Sequence, residues 1–317
     1  MDNTSTEARD AGARILMCAP DHFAVTYAIN PWMNPAQWAS RAQGLRLAAR
    51  REWERLHQKL RLLGARIELV PPAAELHDLV FTANGAVVMD GVALLARFRH
   101  AERQPEEAHF ERSFRELRVR GVIAAVRHLP EALILEGAGD CVWDRARQMF
   151  WMGHGPRSQR DAAQVVRETF GLETIPLELA DPRFYHLDTA LSPLPRGEMM
   201  YVPSAFTAEG LREIRDRVAP TQRIELGSRD AVAFAANAVC INDDIVLSGC
   251  SAALRRRLEA ASYRVHATPL GAFHRSGGSA FCLTLRLDHR SASKPTALRQ
   301  VSQPAAAAGP GRRSQTV

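Results

Sequence analysis

No two cysteines in this chain are spaced as Cys-x-x-Cys, and the five present, Cys18, Cys141, Cys240, Cys250 and Cys282, are odd in number and far apart. This excludes a zinc ribbon, a thioredoxin-like redox pair and a disulfide framework, and it predicts free thiols. Uncharged runs such as residues 231–242 fall short of the roughly 20 apolar residues that a membrane helix needs. Asp2, Glu7, Arg9 and Asp10 interrupt any signal-peptide core, so a cytoplasmic protein with no membrane partner is expected. Acidic residues are absent from Arg290 onward. Of the net charge of +6, five basic residues lie in that tail, leaving 36 basic against 35 acidic residues, or +1, before it. A basicity confined to a tail predicts no nucleic-acid partner, because such recognition gathers Lys and Arg on a folded surface.

What is present suffices for a large core: 317 residues, 46% apolar and 24% charged, which excludes collagen-like, coiled-coil and wholly disordered classes. Residues 1–13 and 291–317 carry almost no large apolar side chains and are expected to be disordered, the second as a basic tail, leaving residues 14–290 as one domain. Within it one order recurs: two short β-like runs, an amphipathic helix and a further β-like run. The copies begin at Leu79, Leu133, Tyr185 and Ala233, spaced 54, 52 and 48 residues apart. A strand at 14–18, a helix at 35–63, a strand at 66–70 and a closing strand at 280–287 complete a fifth. The spacing suggests five α/β modules around an axis, closed by joining the chain's ends; an ordinary α/β sheet whose alternation happens to be even fits the repeat equally well.

Four segments place polar groups where apolar runs would continue. They are His77-Asp78-Leu-Val-Phe-Thr-Ala-Asn84, Leu135-Glu136-Gly-Ala-Gly-Asp140, Phe184-Tyr-His186-Leu-Asp188 and Ser276-Gly-Gly-Ser-Ala-Phe-Cys282. Three stand at the expected start of a module's first strand and the fourth at the closing strand, so in a ring they converge. Taken singly each has a plain structural reading: a buried strand cysteine, a core histidine, a glutamate paired with an arginine. Together a cysteine, a histidine and a carboxylate supply a nucleophile, a proton shuttle and a group to orient the shuttle.

These segments, with Cys18-Ala-Pro-Asp-His-Phe and Asn30-Pro-Trp-Met, resemble the guanidine-modifying enzyme superfamily from about Ile15 to Leu287. Its members include arginine deiminases, dimethylarginine dimethylaminohydrolases and amidinotransferases. The resemblance implies a five-module α/β propeller, or pentein, with pseudo-fivefold symmetry. It implies Cys282 as nucleophile, His186 as general acid/base and Glu136 as the carboxylate beside both the guanidinium and the histidine. Asp78, Phe81, Asn84, Arg103, Arg157 and Asp188 fall at substrate-contacting positions, Arg103 resembling an arginine that fixes the substrate carboxylate and Arg157 another that contacts substrate. Deiminases and dimethylarginine hydrolases usually carry Asp where this chain has Asn84; Phe-Thr-Ala-Asn is instead similar to the arginine dihydrolases. An amide donates as well as accepts, which suits a neutral ureido intermediate. The expected activity is therefore cysteine-dependent hydrolysis of a guanidino substrate, arginine to ornithine, ammonia and carbon dioxide, with no metal or organic cofactor. Dimethylarginine hydrolysis, deimination or amidine transfer are alternatives in the same superfamily, and a non-catalytic binding protein is the alternative of another class. Oligomeric state is not legible.

Overall fold

Residues 12–292 are described, in a computed structural model. The chain enters on β1 (Arg14–Cys18), passes through α1 (Pro35–Ala39) and α2 (Ala42–Leu62), and returns on β2 (Arg66–Val70), parallel to β1. Three units then follow in the same order. They are β3 (Ala86–Met89), β4 (Val92–Leu95), α3 (Pro105–Val119) and β5 (Ala125–Arg127); β6 (Cys141–Asp144), β7 (Met149–His154), α4 (Ala162–Phe170) and β8 (Thr174–Glu178); and β9 (Leu191–Pro193), β10 (Met199–Tyr201), α5 (Ala208–Arg217) and β11 (Arg223–Glu225). A short α6 (Ser228–Val232) precedes the last full unit, β12 (Val239–Ile241), β13 (Asp244–Leu247), α7 (Ala252–Ala260) and β14 (Arg264–Ala267). After α8 (Gly271–His274), β15 (Leu285–Arg286) pairs antiparallel with β1, so the two ends of the described chain share one sheet.

The described residues form five three-stranded sheets, each with one antiparallel and one parallel pair. The chemistry of the connections explains the pattern. An antiparallel pair closes with a tight turn, and Asp90-Gly91, both with positive φ, supplies one between β3 and β4. A parallel pair needs a long crossover, which the helices provide. Their ends are marked locally. Thr207 accepts from Gly210 N and Ser251 from Leu254 N, caps worth about 1 kcal/mol each, while Pro105 opens α3 and Gly171, at φ 66°, ends α4. Along α2, Ala49, Trp53, Leu56 and Leu60 form the buried stripe. The inner strands surround a cavity of about 80 Å³ to which Val87, Val142, Leu191, Val239 and Leu285 each contribute. The five modules and their closure through the chain ends are thus as expected from the sequence.

Several boundaries differ from that expectation. Residues 79–83, 133–135 and 185 onward do not begin strands: the chain makes short 3₁₀ turns at Thr82–Gly85, Gly137–Gly139 and Leu187–Thr189, and the inner strands start after them. Likewise β12 starts at Val239, not Ala233, and the closing strand shrinks to Leu285–Arg286. These runs are apolar because they are buried between modules, and a short buried run reads alike as strand or turn. The helix expected at 35–63 is broken at Ser40, whose hydroxyl donates to Gln37 O; α1 thereby turns Trp38 edge-on to Phe23, off the line of the α2 stripe. The described residues run slightly past 14–290. Ala13 is buried and its carbonyl accepts from Arg66 N, and Ser291 donates to both carboxylate oxygens of Asp90. Residues 1–11 and 293–317, the rest of the segments expected to be disordered, lie outside the described residues. No described helix is long and apolar enough to cross a membrane.

Candidate active site

The polar turns feed into the N-terminal ends of the inner strands, and their side chains recur at matched distances from those strands. His186 and Glu136 each stand five residues before a strand, Asp188 and Cys282 three, Asn84 and Asn237 two. Module repetition is what brings distant residues onto one axis.

Around Glu136 a first network forms. Its Oε2 accepts from Arg157 Nη1 at 2.9 Å and from His186 Nε2 at 2.7 Å, and its Oε1 accepts from Arg99 N at 3.0 Å. Burial alone would push this carboxyl up, but Arg157, the His186 hydrogen bond and Arg103 outweigh it and hold Glu136 well below the usual carboxylate range. A carboxylate only accepts, so Nε2 of His186 carries the hydrogen and Nδ1 is the nitrogen left to take or give a proton. The Arg157 guanidinium lies 4.6 Å over the Tyr185 ring, and its Nη2 donates to Ile29 O at 3.0 Å.

Arg103 anchors a second network. Its Nε and Nη2 form a fork onto Glu106, at 3.0 and 2.8 Å; Nη2 also reaches Asp78 O, and Nη1 donates to Asn84 Oδ1 at 2.9 Å. Four of its five N–H groups are so committed, leaving one on Nη1. Glu106 is fully buried, and removing it would strand the Arg103 charge. Glu106→Ala is therefore expected to cost about 3–5 kcal/mol, a fall in melting temperature of roughly 6–15 °C in a thermal scan. Because Arg103 occupies Oδ1, the Asn84 amide is fixed with its NH₂ toward Glu136 O, at 3.3 Å. Gly139 packs so closely here that a Cβ on it would collide with that amide.

Cys282 belongs to a third group. Its Sγ lies 3.0 Å from Asp188 Oδ2, to which the thiol donates, and 3.1 Å from Asn237 Nδ2. Burial, then the charge and hydrogen bond of Asp188, push the thiol well above its ordinary value, and burial pushes the Asp188 carboxyl up to about 7. Asp188 Oδ1 is buried with no hydrogen-bond partner among the described residues. No hydrogen bond joins Cys282 to His186; the thiol is held by Asp188 and Asn237, while the histidine is oriented by Glu136.

These groups meet at a cavity of about 10 Å³ lined by Asp78, Phe81, Asn84, Arg103, Arg157 and Cys282 together with Ile29, Asn30, Tyr185, Ser276 and Gly278. It is far smaller than the axial cavity, yet the titratable groups converge here. Asp78 accepts from Ser276 Oγ at 3.0 Å and Tyr27 OH at 2.9 Å, and Asn30 Nδ2 donates to Ser276 O, so residues 27–30 strap the site. Gly278 leaves room for Phe81, whose ring a Cβ would overlap. Of the nine residues singled out in the sequence, Asp78, Phe81, Asn84, Arg103, Arg157 and Cys282 line this cavity, Glu136 and Asp188 hydrogen-bond to the lining residues Arg157 and Cys282, and His186 is joined to it through Glu136. Asn237, Tyr27 and Glu106 were missed. For Asn237 a signal existed: Phe234-Ala-Ala-Asn237 parallels Phe81-Thr-Ala-Asn84. A carboxylate, two guanidinium groups and a thiol lining one small volume can hold a molecule that carries both a cation and an anion and expose its electrophilic carbon to sulfur.

A family model described as N,N dimethylarginine dimethylhydrolase, eukaryotic, matches residues 19–288. The chain is 42% identical over 274 residues to the bifunctional arginine dihydrolase/ornithine cyclodeaminase ArgZ of Synechocystis sp. and 40% identical to the AgrE protein of Nostoc sp. with the same description. Those matches cover 86% of this chain but 37% and 38% of the relatives, so the chain spans little more than a third of their length. Against the N(G),N(G)-dimethylarginine dimethylaminohydrolase of Mycobacterium tuberculosis it is 34% identical and covers 85% of that protein. Among solved structures, the N-terminal domain of ArgZ with bound substrate superimposes with a TM-score of 0.82 at 41% identity, covering 88% of this chain and 99% of that one. The same domain, as an asparagine-to-serine variant at the same TM-score, carries a covalently bonded reaction intermediate.

Proposed function

The chain belongs to the dimethylarginine dimethylaminohydrolase family of guanidine-modifying enzymes, and from that premise we propose that it is a cysteine-dependent hydrolase taking arginine and two waters to ornithine, carbon dioxide and two ammonia. The guanidinium sits against Cys282, where the unpartnered Asp188 Oδ1 accepts one of its N–H groups and its positive charge favours the thiolate. Arg103 and Arg157 face the substrate's carboxylate, and the strap at Ile29 and Asn30 yields as the substrate enters. Sulfur adds to the guanidinium carbon. The thiol proton passes to Asp188, its hydrogen-bond partner, while protonated His186 gives its Nδ1 proton to the departing nitrogen; ammonia leaves, and a thiouronium adduct remains. Water, deprotonated by His186 Nδ1, then attacks the adduct and releases the thiol and a ureido product. A second addition at the ureido carbon expels the second ammonia, and hydrolysis leaves a carbamate that loses carbon dioxide to give ornithine.

The observation that carries two rounds over one is Asn84. Its acceptor is taken by Arg103, so what it offers the cavity is an N–H, the partner a neutral ureido oxygen wants and a guanidinium does not. Asn84→Asp replaces that donor by a carboxylate, and the product is expected to shift from ornithine toward citrulline. One hydrogen bond to a neutral group is worth about 0.5–1.5 kcal/mol, a several-fold to tenfold change in product ratio. A time course with labelled arginine, following citrulline, ornithine and ammonia, tests both statements. Wild-type enzyme that stops at citrulline refutes the dihydrolase reading, and a variant that still gives only ornithine shows that Asn84 does not hold the intermediate. The family model and the mycobacterial relative favour a second reading, dimethylarginine to citrulline and dimethylamine. Adding methylarginines to the same assay decides between them.

A further inference from the structure

We propose that Asn237 is a catalytic residue of this site, the hydrogen-bond donor that holds the Cys282 sulfur and stabilises its thiolate. The proposal rests on the completeness of its contacts. Asn237 is fully buried. Its Oδ1 accepts from Cys282 N at 3.2 Å, and its Nδ2 donates to Asp188 O at 3.1 Å and to Cys282 Sγ at 3.1 Å. The amide orientation is not arbitrary. A backbone N–H only donates and a backbone carbonyl only accepts, so both neighbours demand the same orientation, and that orientation aims the remaining N–H at sulfur.

The two contacts to sulfur differ in what they favour. Asp188 accepts, so it holds the neutral thiol and repels the anion. Asn237 donates, weakly to a thiol and strongly to a thiolate, because a hydrogen bond to a charged acceptor is worth more than one to a neutral acceptor. Among the described residues it is the side-chain donor on Cys282 Sγ. Its grip on the Cys282 backbone N–H also fixes the nucleophile's turn, so sulfur is presented in one place. Internal repetition supports a built position: Asn84 stands at the same distance before its own strand, within the same Phe-x-Ala-Asn sequence, and it too has its oxygen tied up and its NH₂ turned to the site. One asparagine faces the nucleophile and the other the proposed intermediate.

The role of Asn237 is tested without reliance on the substrate assignment, through the reactivity of the thiol itself. Iodoacetamide labelling of Cys282 is followed by peptide mass across a pH series, with Cys282→Ser as the background for the other four thiols. Asn237→Asp keeps the shape and removes the donor; Asn237→Ala removes the side chain without adding charge. In both, labelling of Cys282 at neutral pH is expected to slow by about 10- to 100-fold, with the ionisation midpoint moved upward by one unit or more. In arginine turnover kcat falls by a comparable factor while KM stays within a few-fold. A labelling rate and midpoint equal to wild type in either folded variant overturns the proposal, and should one variant fail to fold the other decides. If wild-type protein consumes no arginine, the substrate reading fails on its own, and the labelling series still judges Asn237.

Discussion

Cys282→Ser is expected to abolish turnover, a loss on the order of 10⁶-fold in kcat by comparison with other covalent catalysts stripped of their nucleophile. The hydroxyl occupies nearly the same space and can still donate to Asp188 and accept from Asn237, so the melting temperature should change little. What it lacks is an accessible anion. Ammonia release measured beside a thermal scan separates loss of chemistry from loss of fold. Activity within a few-fold of wild type would falsify a covalent thiolate mechanism, whatever the substrate.

For His186→Ala a fall of about 10²- to 10⁴-fold in kcat is expected, the usual contribution of a positioned acid/base. The fold should survive, because Glu136 keeps its hydrogen bonds to Arg157 and Arg99 and is not left as an unpaired buried charge. Formation of the adduct is helped by the substrate's own positive charge, whereas attack by water depends on the missing base. The thiouronium adduct should therefore accumulate, visible in the intact protein mass after quenching with arginine and absent from the Cys282→Ser variant. Rapid turnover with no adduct would show that another group moves the proton, Asp188 being the one in contact with sulfur.

The path to the site was legible in unequal parts. Cys282, His186 and Glu136 stood out because each interrupts an apolar run at a corresponding place in a repeat, and the structure draws all three into the hydrogen-bonded surroundings of one cavity. The turns that carry them were read as strand starts, since burial between modules and burial in a sheet leave the same apolar signature. Arg103 was legible as a site residue but not as one whose donors are mostly spent on Glu106, Asn84 and Asp78; that depends on a glutamate three residues away being folded inward. Asn237 had its signal in the echo of Phe81-Thr-Ala-Asn84 by Phe234-Ala-Ala-Asn237, but its chemistry appears only once a thiol is placed beside it.

What the sequence by itself determined is the periodic order of strands and helices and, with the resemblance its motifs carry, five modules in a ring with a shared axis for the polar turns. Those follow from local patterning, which each short segment carries in its own residues. Only the tertiary structure decided which groups share protons and charge. The thiol faces Asp188 and Asn237, not His186; the Asn84 amide is turned by Arg103; and Glu136 stays ionised because Arg157 and His186 reach it in the interior. Residues 19 to 94 positions apart make these contacts, those of Cys282 and His186 across modules, and at distances near 3 Å in a dry interior the direction of a single N–H settles what a group can do.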